Sequence, residues 1–102
     1  MIERIIEKLD SIMDGNISPE MLRTMQIFNA IKEERVKQDA KHGTELDEDP
    51  FFMLAVLVEE VGEVAEAMGD DGADSDHTRE ELVQVAATAV KMIEHIDYRR
   101  NK

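Results

Sequence analysis

The stretch from residue 51 to residue 68 places the strongest constraint on the fold of this chain. It reads FFMLAVLVEEVGEVAEAM, and its only charged residues are four glutamates, with no lysine or arginine to neutralise them. Asp49 and Pro50 come directly before it, a typical helix start because aspartate caps the first turn and proline fits its first position. Apolar side chains fall on nearly every side of the predicted helix, so we expect it to be buried on most sides.

Three further helices are predicted by apolar residues at helical spacing and by start and stop signals. Ser18 followed by Pro19 marks one start, and Gly43 marks the end of the same helix. The four predicted helices cover about 2–14, 19–42, 50–68 and 76–100. No segment alternates apolar and polar residues as a strand does. The sequence therefore predicts an all-α fold with a single domain over 1–102.

Four short helices can rarely enclose a helix that is apolar nearly all round. We therefore expect a four-helix bundle that is completed by oligomerisation, as a homodimer or a homotetramer. The alternative is a monomer with a few exposed valines, since folded proteins expose many apolar atoms.

Charge excludes several classes of partner. The chain has 24 acidic and 12 basic residues, a formal charge of −12, which repels nucleic-acid backbones and anionic membranes. A nucleotide would be repelled as well, unless a divalent cation bridges acid and phosphate.

There is no cysteine, so a thiol nucleophile and a thiolate metal site are excluded. The longest apolar run, from Phe51 to Val58, is too short to span a membrane, and we expect a cytoplasmic protein.

Three glutamates of the apolar helix share one face. At 100° per residue, Glu59, Glu60 and Glu63 fall within about 100° of one another. Two like charges about 4 Å apart repel by roughly 4 kcal/mol at an effective dielectric of about 20, so the cluster needs protonation, water or a cation. Mg²⁺ or Mn²⁺ is the natural partner of several oxygens. The alternative is a solvated acidic stripe, because acidic pairs at this spacing recur elsewhere in the chain.

The last predicted helix carries a polar track opposite an apolar one. The track contains Glu81, Gln84, Thr88, Lys91, His95 and Arg99, and the opposite face contains Val83, Ala86, Val90 and Ile93. Oxygen ligands come first and cations follow, with Lys91 about 10 Å beyond Gln84 at 1.5 Å per residue. That distance suits a metal-bound polyphosphate. If the last two helices pack antiparallel, Glu60 and Glu63 can face the first turns of this track.

The two acidic motifs resemble those of a known family. EEVGE at 59–63, followed by EELVQ at 80–84, resembles the ExxE and ExxD signature of MazG-like, all-α nucleoside triphosphate pyrophosphohydrolases. ERVKQDAKHG at 34–43 is similar to the segment that precedes the signature in small phage-type and bacterial members. The resemblance implies a helical oligomer that hydrolyses nucleoside or deoxynucleoside triphosphates to the monophosphate and pyrophosphate, with Mg²⁺ or Mn²⁺ as cofactor.

The resemblance also implies roles for individual residues. Glu60, Glu63 and Glu81 match metal ligands, and Glu59 matches an acid that could orient or deprotonate the attacking water. Gln84 stands where the family pattern has aspartate. Its amide oxygen can still bind a hard cation, but it brings no charge, so metal affinity or the number of ions held should fall. Alternatively, Gln84 contacts the nucleotide.

Three cationic residues are further candidates for substrate binding. Lys91 could bind phosphate or pair with a glutamate on the surface. Lys41 and His42 could form the rim of a nucleotide pocket, or they could be ordinary cations at a helix C-terminus beside a capping glycine. Two alternative functions stay open: a catalytically weak or inactive relative that binds nucleotide or a protein partner, and a plain helical bundle with an acidic surface.

Overall fold

The fold consists of helices joined by short connections. The computed structural model of the chain describes residues 2–13, 15, 17–46 and 48–102, without the side chains of residues 9–13. The helices are α1 (Ile2–Met13), α2 (Pro19–His42), α3 (Pro50–Asp71) and α4 (Asp76–Arg100). None of the described residues forms a strand, so the all-α prediction is confirmed. No helix in the described part of the chain is long and apolar enough to cross a membrane.

The helix starts follow the capping signals in the sequence. The Ser18 side chain accepts a hydrogen bond from the Met21 amide at the start of α2, and the Asp49 side chain accepts one from the Phe51 amide at the start of α3. Ser75 does the same for α4. Each side chain satisfies a backbone amide that has no partner within the helix. The bounds of α2 and α4 coincide with the predicted ranges.

The end of α3 differs from the prediction. The helix continues through Gly69 to Asp71 instead of ending at residue 68, and Gly72 caps it with a positive φ of 97° and an amide that donates to the Met68 carbonyl. A positive φ is the conformation for which glycine is suited. Residue 14, the predicted end of the first helix, lies outside the described residues.

α4 packs against both α2 and α3, with its polar face turned inward. Thr88, Lys91 and His95 are buried, with 3%, 6% and 1% of their surface exposed. On the opposite face, Ile93 is 57% exposed. The part of the polar track that contains these three residues therefore lies against the neighbouring helices. Of the apolar track, Val90 and Ile93 are exposed, whereas Val83 and Ala86 are half-buried.

Few apolar side chains are buried among those that the structure describes. The buried ones are Met53, Val64, Ala67 and Ala87. Two rows of apolar residues are exposed instead. We call them the α3 stripe (Leu54, Val58, Val61, Ala65 and Met68) and the α4 stripe (Leu82, Val90 and Ile93). Both stripes have helical spacing, so each lies along one face of its helix.

The chain is more open than a compact monomer of its mass. Its accessible surface is 7668 Å² at 11.6 kDa, whereas a compact protein of this mass exposes about 5,800 Å². Its radius of gyration is 16.0 Å, against about 13 Å for a compact chain of this length. The helices therefore leave much apolar surface uncovered.

Candidate functional site

A cavity of about 810 Å³ is lined by residues of α2, α3 and α4 and of the connection between α2 and α3. This volume is in the range of small-molecule binding sites. Its apolar lining residues are Phe52, Met53 and Val56. Its polar lining residues are Glu34, Lys37, Gln38, Lys41, His42, Glu48, Glu59, Glu60, Glu63, Gln84, Thr88 and Lys91. Acids and cations thus share one cavity.

Glu60 is the most perturbed acid of the cavity. Burial raises the pKa of its carboxyl, the Thr88 hydroxyl lowers it by hydrogen bonding, and the charges of Glu63, Glu34 and Glu81 raise it further. The net effect is a raised pKa. Its Oε1 atom is buried without a hydrogen-bond partner in the protein. A buried oxygen in this position is costly unless something else satisfies it.

Glu81, which the motif resemblance matches to a metal ligand, lies beside the cavity and not in its lining. It does not line the cavity, although its charge acts on Glu60. Its Oε1 lies 3.4 Å from Nε2 of His77, whose Nδ1 lies 2.6 Å from Oδ2 of Asp71. The hydrogen bond with Asp71 is the main reason that the pKa of His77 is raised, and the charge of Glu81 adds to it. Glu81 therefore contacts an imidazole that links the end of α3 to the start of α4.

The predicted metal ligands do not form a complete coordination site. Among the described residues, no three acidic or histidine side chains are placed to hold an ion together. Even so, two carboxylate oxygens, Oε1 of Glu60 and Oε2 of Glu81, are buried without a hydrogen-bond partner. Unsatisfied carboxylate oxygens among several negative charges are the donor type that a hard divalent cation requires. The residues present therefore fit such an ion.

The predicted substrate-binding cations lie on the same cavity. Lys91 is buried, and its Nζ lies 3.7 Å from Oε1 of Glu48 in the connection between α2 and α3. Lys91 thus pairs with a glutamate, as in the alternative interpretation, but it does so in a buried position and not on the surface. Lys41 and His42 are exposed and line the cavity at the end of α2, and Gln84 lines it from α4. Glu59 is exposed and lines it as well.

A network of hydrogen bonds lies beside the cavity around Arg35, which is only 8% exposed. Its Nε and Nη2 donate to the two carboxylate oxygens of Glu94 at 3.2 and 3.0 Å. Its Nη1 donates to Oδ1 of Asp39 at 3.0 Å and to Oε1 of Gln38 at 3.2 Å. Nε2 of Gln38 donates to Oγ1 of Thr88 at 3.2 Å. The bond with Glu94 is the main cause that raises the pKa of Arg35.

Sequence reasoning missed several lining residues. They are Glu34, Lys37, Gln38 and Glu48. The spacing of Glu34, Gln38 and Lys41 places them on one face of α2, and this regularity was a signal that could have been found. It does not reveal which neighbouring helix that face touches, so the acid at position 34 could not be assigned to the cluster on α3.

Comparison with known proteins adds no further assignment. No protein-family model matches this chain, and no curated protein or solved structure gives a significant match. The functional interpretation therefore depends on the geometry of the cavity and on the resemblance of the two acidic motifs.

Proposed function

We propose that this chain is a metal-dependent nucleotide pyrophosphohydrolase of the MazG-like kind, which converts a nucleoside or deoxynucleoside triphosphate to the monophosphate and pyrophosphate. The observation that carries the proposal is the cavity itself, which joins the carboxylates of the first acidic motif to the buried cation Lys91. A triphosphate carries negative charge that needs both a bridging metal ion and cationic side chains. Hydrolysis of its anhydride bond is the reaction that the motif resemblance favours.

The acids and Lys91 have separate roles in this proposal. Glu60 and Glu63, with Glu81 beside them, would hold Mg²⁺ or Mn²⁺. The ion would neutralise phosphate charge and polarise the phosphoryl group. Glu59 is exposed in the cavity, where its carboxylate can accept a proton from water. Lys91 binds phosphate oxygens as a point charge, since its ion pair with Glu48 is long at 3.7 Å.

The apolar lining residues would position the nucleoside, and two exposed cationic residues would contact its phosphates. Phe52, Met53 and Val56 form an apolar part of the cavity wall, which suits the flat face of a nucleobase. Lys41 and His42 lie exposed at the end of α2, where they can contact the outer phosphates.

We expect purified protein to release pyrophosphate and nucleoside monophosphate from at least one member of a panel of nucleoside and deoxynucleoside triphosphates. The reaction should require Mg²⁺ or Mn²⁺ and stop on addition of a chelator, because the carboxylate cluster needs a cation before it can accept phosphates. Product formation is measured by coupled pyrophosphate detection and by chromatography of the nucleotides. Absence of pyrophosphate with every nucleotide and both metals would contradict the proposal.

Gln84 favours a second candidate function, a catalytically weak or inactive relative that binds nucleotide or a protein partner through the same helices. It lines the cavity where the family pattern has an acid, and a neutral amide adds no charge to attract a cation. Such a scaffold would bind nucleotide without hydrolysing it.

Replacing Gln84 by aspartate separates the two candidates. In an impaired enzyme we expect Gln84→Asp to raise turnover, or to lower the Mg²⁺ concentration needed for half-maximal rate, by about tenfold, because the new carboxylate adds a charged ligand. Turnover is measured over a metal titration. Gln26→Asp, at an exposed position of α2 outside the cavity, is the matched control. An unchanged rate in Gln84→Asp would favour the scaffold.

We also propose that a second copy of the chain covers the α3 stripe and the α4 stripe, in a homodimer or homotetramer. The accessible surface exceeds that of a compact protein of this mass by about 1,800 Å². A standard interface buries about 800 Å² on each partner, so the uncovered surface is large enough for one. We propose in addition that the protein is cytoplasmic. We also propose that it has no nucleic-acid partner, because its charge of −12 repels nucleic acids.

A further inference from the structure

We propose that a second, smaller cavity, between the start of α3 and the end of α4, binds the carboxylate group of a short aliphatic acid or of an acidic side chain. The cavity has a volume of about 60 Å³. Its described lining residues are Pro50, Met53, Met92, His95, Ile96 and Arg99. Met53 also lines the large cavity, and the other five do not. The proposed hydrolysis uses neither His95 nor Arg99, so the inference does not depend on that activity.

His95 supplies the first polar group of this small cavity. The residue is only 1% exposed, and both of its ring nitrogens are buried without a hydrogen-bond partner in the protein. Whatever its protonation state, an imidazole carries at least one N–H donor. A buried donor of this kind is costly unless it finds an acceptor. The ring therefore calls for an acceptor that the described side chains do not provide.

Arg99 supplies the second polar group. It follows His95 by four residues on the same helix, so the two side chains are neighbours on one face of α4. Its Nη1 atom is buried and has no hydrogen-bond partner in the protein. A guanidinium only donates and keeps its positive charge. None of the described lining residues is acidic, and a buried charged group requires a partner of opposite charge. The acceptor should therefore be an anion.

The size and the walls of the small cavity indicate which anion fits. One water molecule needs about 10–15 Å³ of such space, so the cavity holds a group of only a few non-hydrogen atoms. A carboxylate has two oxygens, which can accept from the imidazole and from the guanidinium at the same time. The apolar side chains of Met53, Met92 and Ile96 can then contact a methyl or methylene group. A short aliphatic carboxylate combines both properties.

This carboxylate has two possible sources. It can belong to a free acid of the size of acetate, or to an aspartate or glutamate of a second copy of the chain. Ile96 is 40% exposed and lies three residues after Ile93 of the α4 stripe. A second copy that covers this stripe would therefore come close to the cavity. The chemistry of the site is the same in both cases, and the experiment distinguishes them.

The test is titration of the full chain with sodium acetate, followed by nuclear magnetic resonance of the histidine rings. We expect the signals of His95 to shift until they saturate, and those of the exposed His42 and His77 to change little. Sodium gluconate at the same ionic strength is the matched probe, because it carries a carboxylate on a chain too bulky for the cavity. At an acetate concentration about five times its dissociation constant, the melting temperature should rise by about 4 to 8 °C.

Three variants test the two donors. Arg99→Gln should lower acetate affinity by at least about tenfold, because a hydrogen bond to a charged group is lost. Arg100→Gln removes the neighbouring charge at an exposed position outside the described lining and should keep the affinity. His95→Phe should abolish the response to acetate and should melt no earlier than the unaltered protein without acetate, because the buried ring no longer contains a donor. A merely structural histidine predicts earlier melting instead.

Size-exclusion chromatography with light scattering identifies the source. If a second copy supplies the carboxylate, acetate and Arg99→Gln both weaken the oligomer, whereas gluconate and Arg100→Gln do not. If the ligand is a free acid, acetate binds and the oligomer is unchanged. Either pattern supports the site. An equal response to gluconate, equal effects of Arg99→Gln and Arg100→Gln, or no shift of His95 with acetate would overturn the proposal. Nucleotide hydrolysis is not measured in any arm, so its failure leaves this test intact.

Discussion

Replacing Glu60 by glutamine is expected to reduce pyrophosphate release by at least about a hundredfold, the usual cost of removing a preorganised electrostatic group from an active site. The same replacement should make the metal-free protein more stable to unfolding. Glu60 places a buried, unpartnered oxygen beside the charges of Glu63, Glu34 and Glu81, and a neutral amide removes that repulsion. Activity and stability therefore change in opposite directions.

The stability effect should depend on pH and on metal. Because the pKa of Glu60 is raised in the folded protein, its ionisation destabilises the fold above the folded pKa, and this cost is absent below the ordinary value of 4.5. We therefore expect the advantage of Glu60→Gln to grow as the pH rises above 4.5 and to vanish below that value. Added Mg²⁺ should raise the melting temperature of the unaltered protein and not that of the variant.

Thermal melting with and without chelator, together with the pyrophosphate assay, checks both parts. Glu66→Gln is the matched control, since Glu66 lies on α3, is exposed and does not line the cavity. It should change neither activity nor the metal-dependent melting. A plain helical bundle with an acidic surface predicts instead that Mg²⁺ leaves the melting temperature of the unaltered protein unchanged, and that result would contradict a metal site at Glu60.

Placing an aspartate in either exposed apolar stripe is expected to break the oligomer. Val58 of the α3 stripe is 62% exposed and Ile93 of the α4 stripe is 57% exposed in the isolated chain. If a second copy covers them, Val58→Asp or Ile93→Asp would bury an unpaired charge in an apolar contact. We expect more than about 2 kcal/mol of association free energy to be lost, as at central interface residues.

Size-exclusion chromatography with light scattering measures this effect, at several protein concentrations. The unaltered chain should elute as a dimer or tetramer, and both variants should elute as monomers with a lower melting temperature. Ala73→Asp, at an exposed position of the loop between α3 and α4, introduces the same charge outside the stripes and should leave the oligomer intact. A monomeric unaltered chain would show that the stripes are simply exposed.

The helices could be predicted from the sequence because their starts are encoded locally. Ser18 with Pro19 and Asp49 with Pro50 mark the starts of α2 and α3, and both serine and aspartate cap as expected. The end of α3 lies beyond the predicted residue 68, because Gly69 does not stop the helix. A glycine inside a helix costs only about 1 kcal/mol relative to alanine, so α3 continues to the glycine whose backbone has a positive φ.

The site could be predicted only along single helices. Helical periodicity places Glu59, Glu60 and Glu63 on one face of α3, and the structure places all three on the cavity. Periodicity does not determine side-chain direction, and so it missed that Glu81 contacts His77. Nor does it reveal which face of a helix points inward. On α4 the polar face is buried and the apolar stripe is exposed, an arrangement that depends on the neighbouring helices.

The loop that follows α3 is shorter than the predicted helix ranges indicate. With α3 ending at Asp71 and α4 beginning at Asp76, only residues 72–75 connect the two helices that carry the acidic motifs. Each added or removed helical residue turns a helix by about 100°, so the length of this hairpin fixes which residues of α4 meet Glu60. Insertions are therefore expected to be better tolerated elsewhere than in this hairpin, and the spacing between the motifs is part of the geometry on which the proposed function depends.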